Sequence, residues 1–253
     1  MSLPNERSRS VSVSKLSFLI GPLSMEVRAA GCPAPQNSVG FGARAAASGD
    51  DNPVTASSTA RWFTRNLDLV LGSLALLMLS PLLLTVAALV KIDSSGPVIF
   101  KQRRNGLNGR EFLIWKFRTM HVMEDGASVA QARRQDPRVT RVGRLLRSSS
   151  IDELPQLINI FKGEMSLVGP RPHPIALDEK FRGRIPSYDL RYSVKPGLTG
   201  WAQVNGARGE TAQLAAMEQR VALDLWYVKN WSPTLDLKII LRTFLVICAL
   251  DAF

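Results

Sequence analysis

Apolar and polar positions divide the chain into stretches of different character. Residues 1–60 are rich in Ser, Ala, Gly and Pro and hold no sustained period. Such composition predicts a mostly disordered leader. Its one apolar patch, LSFLIGPLSM, is interrupted by Gly21-Pro22, is too short to span a bilayer, and is followed by no convincing cleavage site. The pattern then changes abruptly. Leu69 to Val90 is a run of 22 residues without a charge, and about 20 apolar residues suffice to cross a membrane. Ser80-Pro81 falls at its centre. Proline removes one helical hydrogen bond and crowds the preceding turn, so a kink is expected there. Both flanks are basic, with Arg61 and Arg65 before and Lys91, Lys101, Arg103 and Arg104 after. Positive charge marks the cytoplasmic side. The residues alone leave two readings open: a spanning helix, or a helix–break–helix that returns to the face it entered.

Beyond the apolar run, PVIFKQRRNGLNGREFLIWKFRTM places two β-prone runs around Asn105-Gly106 and Asn108-Gly109, which predicts a β-hairpin. DPRVTRVGRLLRSSS predicts a short helix with Arg138, Arg141, Arg144 and Arg147 at every third position. That stripe is either a solvated basic face or a surface that lies against lipid phosphates. The closing stretch, DLWYVKNWSPTLDLKIILRTFLVICAL, combines Trp226, Tyr227 and Trp231 with an amphipathic apolar run. A core helix and a membrane-interface helix both fit it.

Charge narrows the field. The chain carries a net +11, and between Lys91 and Arg147 it holds 13 basic against 5 acidic residues. A field of that sign favours an anionic partner: nucleic acid, an anionic membrane face or a phosphorylated substrate. Cys32 and Cys248 are the only cysteines and His121 and His173 the only histidines. That excludes a disulfide framework and a Cys- or His-based metal cluster. Glycine-rich loops of the Walker or dinucleotide type are absent. No nucleic-acid fold with aromatics interleaved on a basic sheet is legible either.

Within this basic chain, SIDELPQLINIFKGEMSLVGPRP sets Asp152 and Glu153 side by side. Pro155 is harmless only in a first helical turn, where the N–H groups have no intrahelical partner. This places an N-cap near Asp152 and a helix running to about Lys162 and stopping at Gly163. A capping box from Ser150 to Glu153 would push Pro155 into the second turn and is discounted. Acids at a helix start are favoured by the dipole, so a purely structural role is one reading. Catalysis is the other. A carboxylate held ionised can attack phosphorus, and the neighbouring one, about 100° away around a helix, can hold Mg²⁺. Magnesium takes one or two carboxylates plus substrate phosphate oxygens. Like-charge repulsion in such an attack has to be offset by a metal and by arginine. Arg171, between Pro170 and Pro172, is the candidate fork for a phosphate; a rigid surface turn is the alternative.

KFRTM, DELPQLINIFKGEMSLVGPRP and KPGLTGWAQVNG together resemble, in order and length, the bacterial sugar transferase family of monotopic phosphoglycosyl transferases, over roughly residues 61–250. The resemblance implies transfer of a sugar-1-phosphate from a UDP-sugar to undecaprenyl phosphate with release of UMP. In the glucose- and galactose-1-phosphate initiators, which the tail resembles most, this is the first membrane step of exopolysaccharide or related glycan assembly. It implies Asp152 as nucleophile, Glu153 as ligand to Mg²⁺, and Arg171 with Pro170 and Pro172 at the substrate phosphate. Lys116 and Arg118 of KFRTM are further phosphate-binding candidates, and Ser80-Pro81 falls on the break of a re-entrant membrane helix. The expected architecture is α+β, mainly helical with a small β-hairpin: a leader over 1–60, a re-entrant membrane hairpin over 61–92, and a cytosol-facing catalytic domain over 93–253 with interfacial amphipathic helices. The expected setting is the cytoplasmic face of a bacterial inner membrane. There the partners are the UDP-sugar, undecaprenyl phosphate and anionic inner-leaflet lipid, without nucleic acid; an oligomer is compatible with the sequence.

Overall fold

The computed structural model describes residues 58–121, 136–209 and 213–248. The leader, apart from its last three residues, and Cys32 lie outside them. The first element is α1, Ser58–Asp93. The expected interruption at Ser80-Pro81 is absent: α1 is one helix with Pro81 inside it. The reason is local. Proline at 81 strips the partner from the Leu77 carbonyl, and the Ser80 hydroxyl donates to that oxygen at 2.7 Å. The orphan acceptor is satisfied without leaving the helix. The Thr85 hydroxyl donates in turn to the Pro81 carbonyl at 2.9 Å.

The hairpin forms as expected. Strands β1, Ile99–Asn105, and β2, Glu111–Phe117, pair antiparallel with Asn105 opposite Glu111. Asn108 and Gly109 adopt positive φ in the connection, a conformation that asparagine and glycine tolerate best. Helix α2, Arg141–Ser149, is capped by Thr140, whose hydroxyl accepts the Gly143 N–H at 2.9 Å.

The acid pair falls outside the α-helix assigned to it from sequence. Ile151–Glu153 is a 3₁₀ turn, and α3 runs from Gln156 to Lys162 with Pro155 at its N-cap. Ser150 adopts positive φ and makes no side-chain cap, so the discounted capping box does not form. The stop is as expected: Gly163 ends α3 at φ 85°. A parallel pair of short strands follows, β3 Ser166–Val168 and β4 Gly197–Thr199, with α4, Ile175–Arg182, between them. After the short α5, Trp201–Val204, come α6, Leu214–Lys229, and α7, Pro233–Cys248. The closing stretch is thus two helices, and Pro233 opens the second.

Helix α1 belongs to the folded body along its length. Ala75, Leu76 and Leu79 pack with Ile114, Leu157, Ile160 and Met165. Leu83, Val86 and Val90 pack with Phe117 and Leu146. Near its start, Arg65 donates to the carbonyls of Ile160 and Phe161 at 2.6 and 2.8 Å, and Asp68 accepts the Leu167 N–H and the Ser166 hydroxyl at 2.9 and 3.0 Å. At its end, Asp93 accepts the Val142 N–H at 3.1 Å. The opposite face exposes Val70, Leu74, Leu77, Met78, Leu82, Leu84 and Leu89. The segment Trp62–Asp93 is long and apolar enough to cross a membrane, and an exposed apolar face of that size marks a membrane-associated protein. Helix α7 is apolar on two faces: Ile239 is buried with Tyr227 and Val228, whereas Leu237, Leu241, Phe244 and Leu245 are exposed. The core reading is thus met on one face of α7, and the other face is apolar and exposed.

Candidate active site

Two turns meet at the site. The first carries the acids. The chain leaves α2 through Ser150 in the left-handed region (φ 58°, ψ 16°) and enters the 3₁₀ turn. A serine there costs about 1 kcal/mol or more and persists only where its surroundings impose it. The Arg208 guanidinium donates to its hydroxyl.

The second turn, Gly169-Pro170-Arg171-Pro172, follows β3. Prolines bring few N–H groups, so the turn is held through its carbonyls. The Gly197 N–H donates to Pro170 at 3.0 Å, Arg191 Nη2 to Arg171 at 2.7 Å, and Arg104 Nη1 to Pro172 at 3.2 Å. Three successive acceptors are thus fastened from three parts of the chain. KPGLTG has its role here. A Cβ on Gly197 would lie 2.1 Å from the Gly169 nitrogen, so only glycine lets β4 approach the turn this closely.

Arg171 reaches back from this turn to Glu153. Its Nη1 donates to Oε2 at 3.0 Å and its Nη2 donates to Oε1. Lys116, on β2, donates to Oε1 at 2.7 Å. Burial alone would raise the Glu153 pKa, but Arg171 and Lys116 more than offset it and hold the carboxyl well below its ordinary value. Glu153 raises Arg171 in return. Burial lowers Lys116 against the pull of Glu153.

Asp152 is half-buried and accepts no hydrogen bond among the described residues. Burial, then Glu153, raises its pKa to about 6, while Lys116, Arg147 and Arg171 act the other way. Arg208 also faces the pair. Burial and Arg171 lower its pKa while Glu153 and Asp152 raise it. Four cationic side chains therefore surround two carboxylates, leaving an excess of positive charge suited to an anion.

The structure brings together Asp152, Glu153, Lys116 and Arg171, and buries Pro170 and Pro172 in the turn. Arg118 is placed elsewhere. It is 3% exposed and donates to the carbonyls of Val90, Ser94 and Pro97 at 3.3, 2.5 and 2.6 Å. It thus caps the C-terminus of α1, where the dipole and unpaired carbonyls favour a cation. This corrects the expectation of a phosphate ligand there: its terminal nitrogens are already committed to backbone. Arg147 and Arg208 are site residues the sequence reading missed. Arg147 was read only as part of a stripe, and the signal for Arg208 was an arginine between Asn205-Gly206 and Gly209, two turn formers.

Among the described residues no group of three or more His, Cys, Asp or Glu side chains could hold a metal. A cation at this site would have to take its remaining ligands from substrate or water, as Mg²⁺ does readily. The donors fit it. Oε2 of Glu153 takes one N–H in the fork, which leaves one of its two lone pairs. The Asp152 oxygens are unengaged.

A membrane-associated body with a cation-rich carboxylate site is the class that fold and site define. The chain belongs to the bacterial sugar transferase family, whose model matches residues 59–249. It is 55% identical over 179 residues to the UDP-glucose:undecaprenyl-phosphate glucose-1-phosphate transferase of Caulobacter vibrioides, covering 71% of this chain and 67% of that protein. It is 52% identical over 193 residues to the protein of the same name from Escherichia coli, covering 76% of this chain and 41% of the relative. The exopolysaccharide production protein PSS of Rhizobium leguminosarum bv. phaseoli is 45% identical over 183 residues, covering 71% and 92%. The match thus spans about two fifths of the Escherichia coli relative's length.

Proposed function

We propose that the protein transfers glucose-1-phosphate from UDP-glucose to undecaprenyl phosphate, releasing UMP, at the cytoplasmic face of a bacterial inner membrane. The observation that carries this reading is the Asp152 carboxylate, free of hydrogen bonds and ringed by Lys116, Arg147, Arg171 and Arg208. The names of the relatives supply the substrate class.

Two displacements follow from one nucleophile. An Asp152 oxygen attacks the β-phosphorus of the UDP-sugar. The bond from that phosphorus to the bridging oxygen breaks, and UMP leaves with the electron pair. A phosphate oxygen of undecaprenyl phosphate then attacks the aspartyl-bound phosphorus. The carboxylate is freed and the lipid diphosphate-sugar forms. Arg171 and Arg208 grip the phosphate oxygens, Lys116 counters their charge, and Glu153 holds Arg171 in place. Glu153, with Asp152 beside it, would hold Mg²⁺, which would supply neutralisation of diphosphate charge.

The packing of α1 supports a topology in which both its ends lie on one side of the bilayer. Arg65 and Asp68 at one end and Asp93 at the other are bonded to the same folded body. A spanning helix would carry one of these ends about 30 Å away. Exposed Leu145, next to Arg144 and one turn on from Arg141 on α2, and the exposed apolar face of α7, fit an anionic inner leaflet.

The test is UMP release by the purified protein from a panel of UDP-sugars with undecaprenyl phosphate. UDP-glucose is expected to be the best donor, and Asp152→Asn to lose most of an acceleration of about 10⁶-fold or more. Labelled UMP is expected to exchange into UDP-glucose without lipid acceptor. Exchange that strictly needs the lipid would replace double displacement with direct transfer. Near-normal turnover by Asp152→Asn would remove the nucleophile assignment.

A further inference from the structure

A buried polar cluster lies behind the two arginines. Arg191, in the 3₁₀ turn Tyr188–Ser193, donates through Nε to Asp224 at 2.8 Å and through Nη2 to the Arg171 carbonyl at 2.7 Å. Its Nη1 lies 3.2 Å from the Tyr188 hydroxyl and 3.1 Å from His173 Nδ1. Arg220, on α6, donates to the carbonyls of Ala207 and Gly209 at 2.9 and 2.6 Å, one on each side of Arg208. Its Nη1 lies 3.4 Å from His173 Nε2. The imidazole therefore stands between the guanidinium that holds Arg171 and the one that holds Arg208.

Proton accounting selects its tautomer. His173 is 3% exposed, and burial, then Arg191, pushes its pKa down to about 3, so the ring is neutral. A neutral ring accepts at one nitrogen only, and arginine only donates. The Tyr188 hydroxyl donates to Asp178 Oδ1 at 2.8 Å, and Asn105 donates to Oδ2 at 2.7 Å. The Tyr188 oxygen is thereby left to accept from His173 Nδ1–H at 2.9 Å and from Arg191 at 3.2 Å. His173 Nε2 is then the acceptor for Arg220. Arg191 Nη1 and Nδ1–H, 3.1 Å apart, then both point to the Tyr188 oxygen. The other tautomer would let Nδ1 accept from Arg191, but it sets that lone pair against the Tyr188 oxygen at 2.9 Å and aims an N–H at Arg220, which has only donors to offer.

We propose that His173 is a positioning residue which, as its Nδ1–H tautomer, ties Arg171 and Arg208 into one phosphate-gripping unit. This rests on the reading of those two arginines as phosphate ligands. Coupling runs on one side through Tyr188 and Arg191 to the Pro-Arg-Pro turn, and on the other through Arg220 to the Gly206–Gly209 loop.

The experiment measures UDP binding without lipid acceptor, so it does not depend on turnover. Arg171→Lys, Arg208→Lys and the double variant are compared in three backgrounds: wild type, His173→Asn and His173→Gln. An Asn amide nitrogen reaches the Nδ1 position and keeps the Tyr188 contact; a Gln oxygen reaches the Nε2 position and keeps the Arg220 contact. In wild type the two arginine losses should be non-additive by about tenfold in Kd. In both His173 variants they should become additive within about twofold, because each has cut one arm. Non-additivity that survives in both variants, or additivity in wild type, overturns the proposal. Should a His173 variant fail to fold, Tyr188→Phe cuts the same link by one hydroxyl and carries the same expectation. Wild-type protein that binds UDP but releases no UMP sinks the proposed reaction and leaves the coupling result standing. Wild-type protein that binds no UDP overturns both.

Discussion

Asp224→Asn tests whether the buried ion pair behind the site stabilises the fold as its geometry requires. Asp224 and Arg191 are each 2% exposed at the side chain and meet at 2.8 Å. Burial works against the Arg191 charge, but Asp224, with Tyr188 and Asp178, more than offsets it and holds the guanidinium protonated. Removing one partner of such a pair leaves an uncompensated buried charge, at a cost of about 3–5 kcal/mol. Burial is nearly complete, so no solvent screening reduces that figure. Asparagine retains an acceptor for Nε, which places the loss near about 3 kcal/mol. For a body of this size 1 kcal/mol moves Tm by about 2–4 °C, so the fall should be about 6–12 °C. The assay is thermal unfolding in one fixed detergent, followed by intrinsic tryptophan fluorescence. The paired replacement Arg191→Met with Asp224→Leu removes both charges and should recover much of the stability. It should not recover UMP release, because the Arg171 carbonyl has lost its donor. A single-variant Tm within about 2 °C of wild type would show that the pair contributes little and refute the reasoning.

Other outcomes follow from the same contacts. Activity should rise with pH through about 6 and level above it, because the raised Asp152 carboxyl must lose its proton to attack; Arg147→Gln should move that midpoint upward, and a flat profile between pH 5 and 7 would count against Asp152. Acid should destabilise the protein through His173. Its folded pKa of about 3 lies below the ordinary 6.5, so the folded state binds fewer protons between those values. The contribution of about 5 kcal/mol is present above about pH 6.5 and lost as pH falls toward 3. Tyr188, Asp178, Arg191 and Arg220 all face the ring, and His173→Gln should flatten the difference in a pH series of melts. Arg118→Met should lower Tm while leaving KM for the UDP-sugar unchanged, since Arg118 serves α1 and not the phosphate; a raised KM would return it to the site. Single cysteines at positions 58 and 94, in a Cys32→Ser, Cys248→Ser background, should both resist an impermeant label in intact cells; outside labelling at 58 would show a spanning α1.

What the sequence determined by itself was short in range. Asn105-Gly106 and Asn108-Gly109 announced the hairpin, Gly163 announced the end of α3, and an uncharged run of 22 residues announced the membrane segment. Each needs only its neighbours, because turn conformation, helix termination and hydropathy are local properties of the backbone and of burial. The acid pair and Arg171 were legible as residue types, and so was the hydrogen bond lost at Pro81, but not that α1 would continue through it. The tertiary structure alone decided which cation serves which partner. Nothing local separates Lys116, which meets Glu153, from Arg118 two residues later, which lies just past the end of β2 and turns to the end of α1. Pairs such as Arg191 with Asp224, 33 positions apart, or Arg208 with Ser150, 58 apart, leave no periodic trace. They exist because a buried guanidinium must find every acceptor it can within the packed interior, and only the closed chain places those acceptors.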